Sequence, residues 1–201
     1  MTKKELNFCF KGSRDYVQGP DIFDNVIKKV SLIFDLTCIT NIKYSAYSML
    51  HRNANMYLLE EFERDEFETI NSLITFDYNQ KKYYVVVVEN NHSISCSNDY
   101  SENTVRNNSV IENNEITFTN SLPDSLTEII VSMNKYFLQS TVSTNGKWIV
   151  TKFDYSKIHQ QYEIAEKNIM LKLISNFNNK LTKSTILIDG EQVGFLYFSL
   201  I

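Results

Sequence analysis

Residues 19–34 read GPDIFDNVIKKVSLIF, and this stretch decides the fold. Gly19 suits the N-cap, and Pro20 suits the first helical position, where its missing N–H has no intrahelical partner to lose. Asp21 and Asp24 follow in the first turns, where the helix dipole favours negative charge. Ile22, Phe23, Val26, Ile27, Val30, Ile33 and Phe34 recur at helical spacing and define one broad buried face. The spacing predicts a helix over 20–35, and the residues around it predict the sheet on which it lies.

Before the helix, 6–10 alternates, with Leu6, Phe8 and Phe10 on one side, and a loop over 11–18 leads in. After it come strand-like runs at 39–47 and 55–61, parted by a turn-prone 50–55, and then a hairpin of 72–76 and 83–89. The unbroken valines 85–88 predict a strand covered on both faces. Residues 90–114 turn rich in Asn, Ser and Glu and carry the expected linker. Beyond it the plan repeats as a strand at 115–119, a helix at 123–138 and strands at 147–153, 169–177, 185–188 and 193–200. The second helix has the stripe Leu126, Ile129, Ile130, Met133 and Phe137, and the last two strands turn at Asp189-Gly190, a strong hairpin signal. Trp148, Tyr155, Phe195 and Tyr197 are expected in the core.

The two halves match beyond the order of their elements. Pro20-Asp21 answers to Pro123-Asp124, and Val26, Ile27, Val30 and Phe34 fall on Ile129, Ile130, Met133 and Phe137. Ser72 to Asp77 answers to Ser184 to Asp189, with Tyr83 on Phe195 and Val85 on Tyr197. An internal duplication is therefore expected, with a first half at 1–98, a polar linker at 99–114 and a second half at 115–201.

With 201 residues and 43% hydrophobic composition, the chain can build an extensive core without metal or cross-links. A net charge of −4 argues against a broad nucleic-acid surface, because the basic pairs Lys28-Lys29 and Lys81-Lys82 are isolated. Cys9, Cys38 and Cys96 are odd in number and lack metal spacing, so they are expected as separate thiols in a reducing compartment. The first residues lack the apolar core of a signal peptide and no run is long enough to span a bilayer, which predicts a cytoplasmic protein without a membrane partner. There is no Gly-rich phosphate loop, no Gly-x-Ser-x-Gly elbow and no His-Glu-x-x-His pair, which sets aside nucleotide hydrolysis, common serine hydrolysis and zinc peptidase chemistry.

The element order, together with Arg14-Asp-Tyr-Val-Gln-Gly19 followed by Pro20-Asp-Ile-Phe-Asp24, resembles the hotdog-fold superfamily of acyl thioester dehydratases and thioesterases. Two copies in one chain resemble a double hotdog. In the dehydratases of that superfamily a glycine before the central helix precedes a catalytic acid by five residues, the spacing of Gly19 to Asp24. The resemblance implies an α+β fold of two fused hotdog-like halves, each a long helix packed on an antiparallel sheet, with a groove between them. It also implies an acyl thioester substrate carried by acyl carrier protein or coenzyme A, with backbone amides at the helix start polarising its carbonyl. No cofactor or metal is implied, and the fused pair is expected as a monomer or homodimer. Two positions depart from the pattern. The histidine that precedes the glycine in the dehydratases has no counterpart in 11–18, and Thr127 stands where the first helix has Asp24.

Each candidate residue has a structural alternative. Asp24 is a proton acceptor or water-orienting group, or else a first-turn acid that stabilises its helix by about 0.3–1 kcal/mol. The long loop before the helix offers Arg14 for phosphate or carboxylate, Tyr16 for a developing oxyanion, and Gln18 and Gly19 as substrate contacts; otherwise Arg14 pairs with Asp15 or Asp24 and fixes the loop. His51, Arg52 and Asn53 line the substrate groove by resemblance, or are simply residues that turns favour. The reading is an acyl thioester lyase, hydrolase or transferase, set against a non-catalytic binding or scaffold protein that keeps the fold without the chemistry.

Overall fold

The structure, a computed structural model, describes residues 1–119, 124–159, 164 and 166–201. The chain divides into two units, Met1–Tyr100 and Ser101–Ile201.

The first unit contains β1 (Thr2–Leu6), β2 (Phe10–Lys11), α1 (Gly19–Val30), β3 (Ile39–Ala46), β4 (Arg52–Leu59), β5 (Ser72–Tyr78), β6 (Lys81–Ser93) and β7 (Ser97–Asn98). Five strands form an antiparallel sheet in the order β1-β4-β6-β5-β3, and β2 pairs in parallel with β7. Helix α1 buries Ile22, Phe23, Val26 and Val30, four positions of the expected stripe. Phe23 meets the edge of Tyr44 with ring centroids 6.4 Å apart. The Tyr44 phenol is buried beside the Ser72 hydroxyl at 3.2 Å, and desolvation pushes its pKa up to about 12. Val85 and Val87 are fully buried, and Val86 packs on the opposite face with Leu59 and Ile70 under Phe62 and Phe67. The run of valines is thus covered on both faces.

Three local expectations are corrected in this unit. Helix α1 starts at Gly19 with Gln18 as its extended N-cap and ends at Val30, short of 35. Past that point the Phe34 amide bonds back to Val30, which seats the Phe34 ring against Phe76, Tyr78 and Tyr83 and leaves Leu32 and Ile33 exposed. The first strand is Thr2–Leu6, because beyond Leu6 the backbone finds other partners: Phe8 N donates to Asn53 Oδ1 at 2.9 Å, and Phe10 N to Cys96 O at 3.0 Å. Cys9 and Cys96, expected as separate thiols, are joined by a disulfide with Cα atoms 4.8 Å apart, while Cys38 is a free, exposed thiol.

The second unit contains α2 (Asn103–Asn107), β8 (Ser109–Glu112), β9 (Glu115–Phe118), α3 (Leu126–Thr141), β10 (Trp148–Lys157), β11 (Ile169–Phe177), β12 (Leu181–Ile188) and β13 (Glu191–Leu200). The ladder runs β8-β9-β11-β12-β13-β10, antiparallel throughout. Helix α3 is opened by Ser125, whose Oγ accepts from Glu128 N at 3.1 Å, a cap that the Ser-x-x-Glu spacing encodes. Pro123, expected to open this helix, lies outside the described residues. The full stripe Leu126, Ile129, Ile130, Met133 and Phe137 is buried, together with Asn134, whose Oδ1 accepts from Ser184 Oγ at 2.9 Å. The polar segment expected as linker carries α2 and β8, and Lys135 of α3 reaches Glu102 at 2.8 Å. Trp148 and Tyr155 are core residues, whereas Phe195 and Tyr197 are half-buried on the face opposite Leu196 and Phe198, with Lys183 over both rings.

Each unit runs strand, helix, strand, then three more strands, but the sheets differ in order. In the first unit β6 pairs β4 and β5 pairs β3; in the second the corresponding hairpin is turned over, so that β12 pairs β11 and β13 pairs β10. Connection length explains the difference. Residues 60–71 give β5 the reach to pass β6's place, whereas the tight turn at Asn178-Asn179 holds β12 beside β11.

Candidate functional site

The loop over 11–18 is tied down at both ends of its path. Val17 N donates to Leu50 O at 2.8 Å, and the Asp15 carbonyl lies 2.7 Å from His51 Nδ1, which donates to it. This brings the loop and the 51–53 segment, two of the predicted groups, together within the first unit. Arg14 Nη1 donates to Lys11 O at 3.1 Å, and the guanidinium stacks over the Tyr100 ring at 4.9 Å. With its carboxamide oxygen facing Arg14, Gln18 accepts from Nε and Nη1 at 3.0 and 3.1 Å. Gln18 therefore makes no side-chain cap on α1, and the helix start is left open on that side.

At that start Ile22 N makes the first helical bond, to Gln18 O at 3.1 Å. The N–H groups of Gly19 and Asp21 precede it and have no acceptor within the helix, while Pro20 carries none. Asp24 sits one turn further, half-buried, and Tyr16 is half-buried in the loop. The helix start thus offers backbone donors and the positive end of the helix dipole, groups that can stabilise a developing oxyanion.

His51, Arg52 and Asn53 are placed differently from the turn expected for them. Arg52 and Asn53 belong to β4, and His51 immediately precedes it. The backbone N–H groups of His51 and Arg52 both donate to Glu89 Oε2, at 2.6 and 3.1 Å. Asn53 is buried, accepting from Phe8 N and donating from Nδ2 to Ser93 O at 3.2 Å. These two bonds tie the N-terminal segment to the sheet.

Lys11, Asp21 and Tyr100 belong to this cluster but were not singled out in the sequence. Lys11 Nζ is 2.8 Å from Asp21 Oδ1, and its ammonium also lies 5.2 Å from the centroid of Tyr100. The signal for Asp21 was present only as a first-turn acid, and nothing local connects Tyr100 to residues so far upstream. Burial raises the Asp21 carboxyl above its ordinary range, outweighing the lowering pull of Lys11 and then of Arg14. A raised folded-state pKa gives its full stabilisation below the unfolded value and loses it as pH rises through the folded value. Asp21→Asn should therefore gain stability relative to the natural protein as pH rises from about 3 to about 7. Urea midpoints of the two proteins across that range measure it, and the opposite trend would mean that Lys11 outweighs burial.

A central helix on a curved antiparallel sheet, with a polar loop at the helix start, is the architecture of the hotdog fold. Comparison with solved structures places this chain among such proteins. A monomeric dehydratase domain from a trans AT polyketide synthase split module matches with a TM-score of 0.55 at 12% identity, covering 100% of both chains. The dehydratase domain of PpsC from Mycobacterium tuberculosis, solved with C12:1-CoA, gives 0.54 at 8% identity, covering 99% of this chain and 92% of that one. The tesB protein of Mycobacterium avium subs paratuberculosis gives 0.53 at 9% identity, covering 96% and 91%. No family model and no curated protein matches the sequence. Identities this low carry the fold and leave the chemistry to be argued from the residues of this chain.

Proposed function

We propose that the protein binds an acyl thioester, carried by acyl carrier protein or coenzyme A, at the start of α1, and transforms it there. The thioester carbonyl accepts from the Gly19 amide and its neighbours, and Asp24 or Tyr16 is the polar group that moves or holds a proton. Arg14 and Gln18 set the loop that borders the substrate, with His51 and Arg52 beside it. In this reading the chain is a fused pair of hotdog halves, 1–98 and 115–201, joined through 99–114, and only the first carries a carboxylate at the position of Asp24, where the second has Thr127. The observation that supports it most is the uncapped start of α1, whose Gln18 side chain is drawn away to Arg14.

A second reading, a binding protein without chemistry, is favoured by the structural engagement of Asn53 and Gln18 and by the absence of histidine from 11–18. One experiment separates them. The purified protein is incubated with a panel of acyl thioesters on both carriers, and thermal shift and turnover are read together. Turnover that falls by at least about a hundredfold in Asp24→Asn or Tyr16→Phe, with the thermal shift retained, supports the enzyme. A thermal shift without turnover selects the binding protein. Neither response across the panel overturns both.

A further inference from the structure

The sheet of the second unit has two faces of unlike character. Ser184 faces α3, to which its hydroxyl is bonded, and its cross-strand neighbour Leu196 is fully buried beside it. The alternate residues face the other way. Phe177 stands opposite Leu181, Leu181 opposite Ser199 and Ser199 opposite Ile149, so these four form one row across β11, β12, β13 and β10. The next row is Ser175, Lys183, Tyr197 and Lys152. Directly paired residues share a face, as do positions two apart along β12 and β13, which puts both rows on the side away from α3.

Although the chain as a whole carries −4, residues 129–153, 167–188 and 192–201 contain no Asp or Glu. These stretches supply both rows, and also Lys180 in the turn between β11 and β12. The lysines lie over rings where carboxylates would otherwise meet them. Lys152 Nζ is 5.0 Å from the centroid of Tyr197, and Lys183 Nζ is 5.5 Å from it and 3.8 Å from that of Phe195. A ring attracts a cation without neutralising it. Among the described residues none of Lys152, Lys180 and Lys183 has a carboxylate within ion-pair distance, whereas Lys172, one row further on, is paired with Glu115 at 2.6 Å. Beside these charges Phe177 and Leu181, at the end of the hairpin, are 67% and 42% exposed. Apolar side chains that project from a strand face and a hairpin end suit a medium that takes them up singly, where a partner helix would need a groove to lie in.

We propose that this face of the second unit lies on an anionic lipid bilayer. Phe177 and Leu181 enter the boundary of the acyl chains, and Lys152, Lys180 and Lys183 meet the lipid phosphates. Long lysine side chains reach past apolar neighbours to charged headgroups, and a tyrosine such as Tyr197 between them suits the headgroup level. A contact of this kind needs no spanning segment, so it is compatible with the lack of a membrane-crossing helix among the described residues. It does not depend on the thioester reading.

Co-sedimentation of the full chain with vesicles of phosphatidylcholine, alone or mixed with phosphatidylglycerol, tests it. Binding to the mixed vesicles is expected to be at least about tenfold tighter than to phosphatidylcholine alone, and to weaken as salt is raised. Lys183→Ala should weaken it about fivefold and Phe177→Ala at least as much, with Lys43→Ala, which removes an exposed lysine on β3, unchanged. Equal binding to the two kinds of vesicle, equal weakening by Lys43→Ala, or indifference to Phe177→Ala would overturn the proposal. Soluble poly-glutamate supplies the remaining arm. If it binds more tightly than the mixed vesicles, and does so regardless of Phe177→Ala, the face is a dock for an acidic protein and the bilayer is excluded.

Discussion

Replacing Cys9 and Cys96 together by serine is expected to lower the free energy of unfolding of the first unit by about 4–5 kcal/mol. The bond joins residues 87 apart, and the entropy it removes from the unfolded chain grows with the logarithm of that loop. It also secures contacts that matter locally. Phe10 N to Cys96 O and Gly12 N to Asn98 O, at 3.0 and 2.9 Å, build the short parallel ladder, and Ser97 Oγ donates to Gly12 O at 3.2 Å. These hold Tyr100 beneath Lys11 and Arg14, so the double variant should loosen the loop before α1 as well as destabilise the unit. Urea unfolding of the full chain, oxidised and doubly substituted, measures the difference. A loss below about 1 kcal/mol, or three alkylatable thiols in the unreduced denatured protein, would show that the pair is not bonded.

The disulfide changes what the cysteines say about compartment. Three separate thiols were the argument for a reducing environment, and two of them are joined. Disulfides persist in oxidising compartments and are uncommon in the cytosol, so the composition no longer favours the cytoplasm. No helix among the described residues is long and apolar enough to cross a membrane.

Much of the fold was legible because it is written in local periodicity. The α1 and α3 stripes, the valines of β6 and the Asp189-Gly190 turn, with φ of 51° and 84°, each follow from neighbours in sequence. What escaped is set by distant pairing. Aligning Val85 with Tyr197 assumed that both hairpins present the same face, yet Val85 is buried and Tyr197 is half-buried on the outer side. A register shift between Ile186 and Leu187 accommodates Val193 as an extra residue in β13, and a slip of one residue exchanges the faces of everything beyond it. The cluster at the helix start was half legible for the same reason. Arg14, Tyr16, Gln18 and Gly19 are neighbours in the chain, whereas Tyr100 and Glu89 arrive through the sheet and the β2–β7 ladder.

That same irregularity makes Gly194 the position where the smallest substitution should do the most damage, with Gly194→Ala expected to destabilise the second unit by about 3 kcal/mol. A methyl group there would run into the carbonyl oxygen of Asp154 and stand 3.2 Å from Tyr155 Cα, both backbone atoms of β10 that no rotamer can move aside. The strands must part or the bulge must shift. Either movement carries Tyr155, whose hydroxyl lies 3.0 Å from Thr127 Oγ1 in the buried start of α3, so the strain reaches the helix. Gly190→Ala supplies the contrast, because nothing lies within 4 Å of its added carbon and only its φ of +84° opposes the change, at about 1–2 kcal/mol. Urea midpoints of the two variants compare a steric cost with a conformational one. Should Gly194→Ala prove no worse than Gly190→Ala, the close approach of β10 and β13 would not be a fixed feature of the sheet, and the Thr127–Tyr155 contact would lose its support.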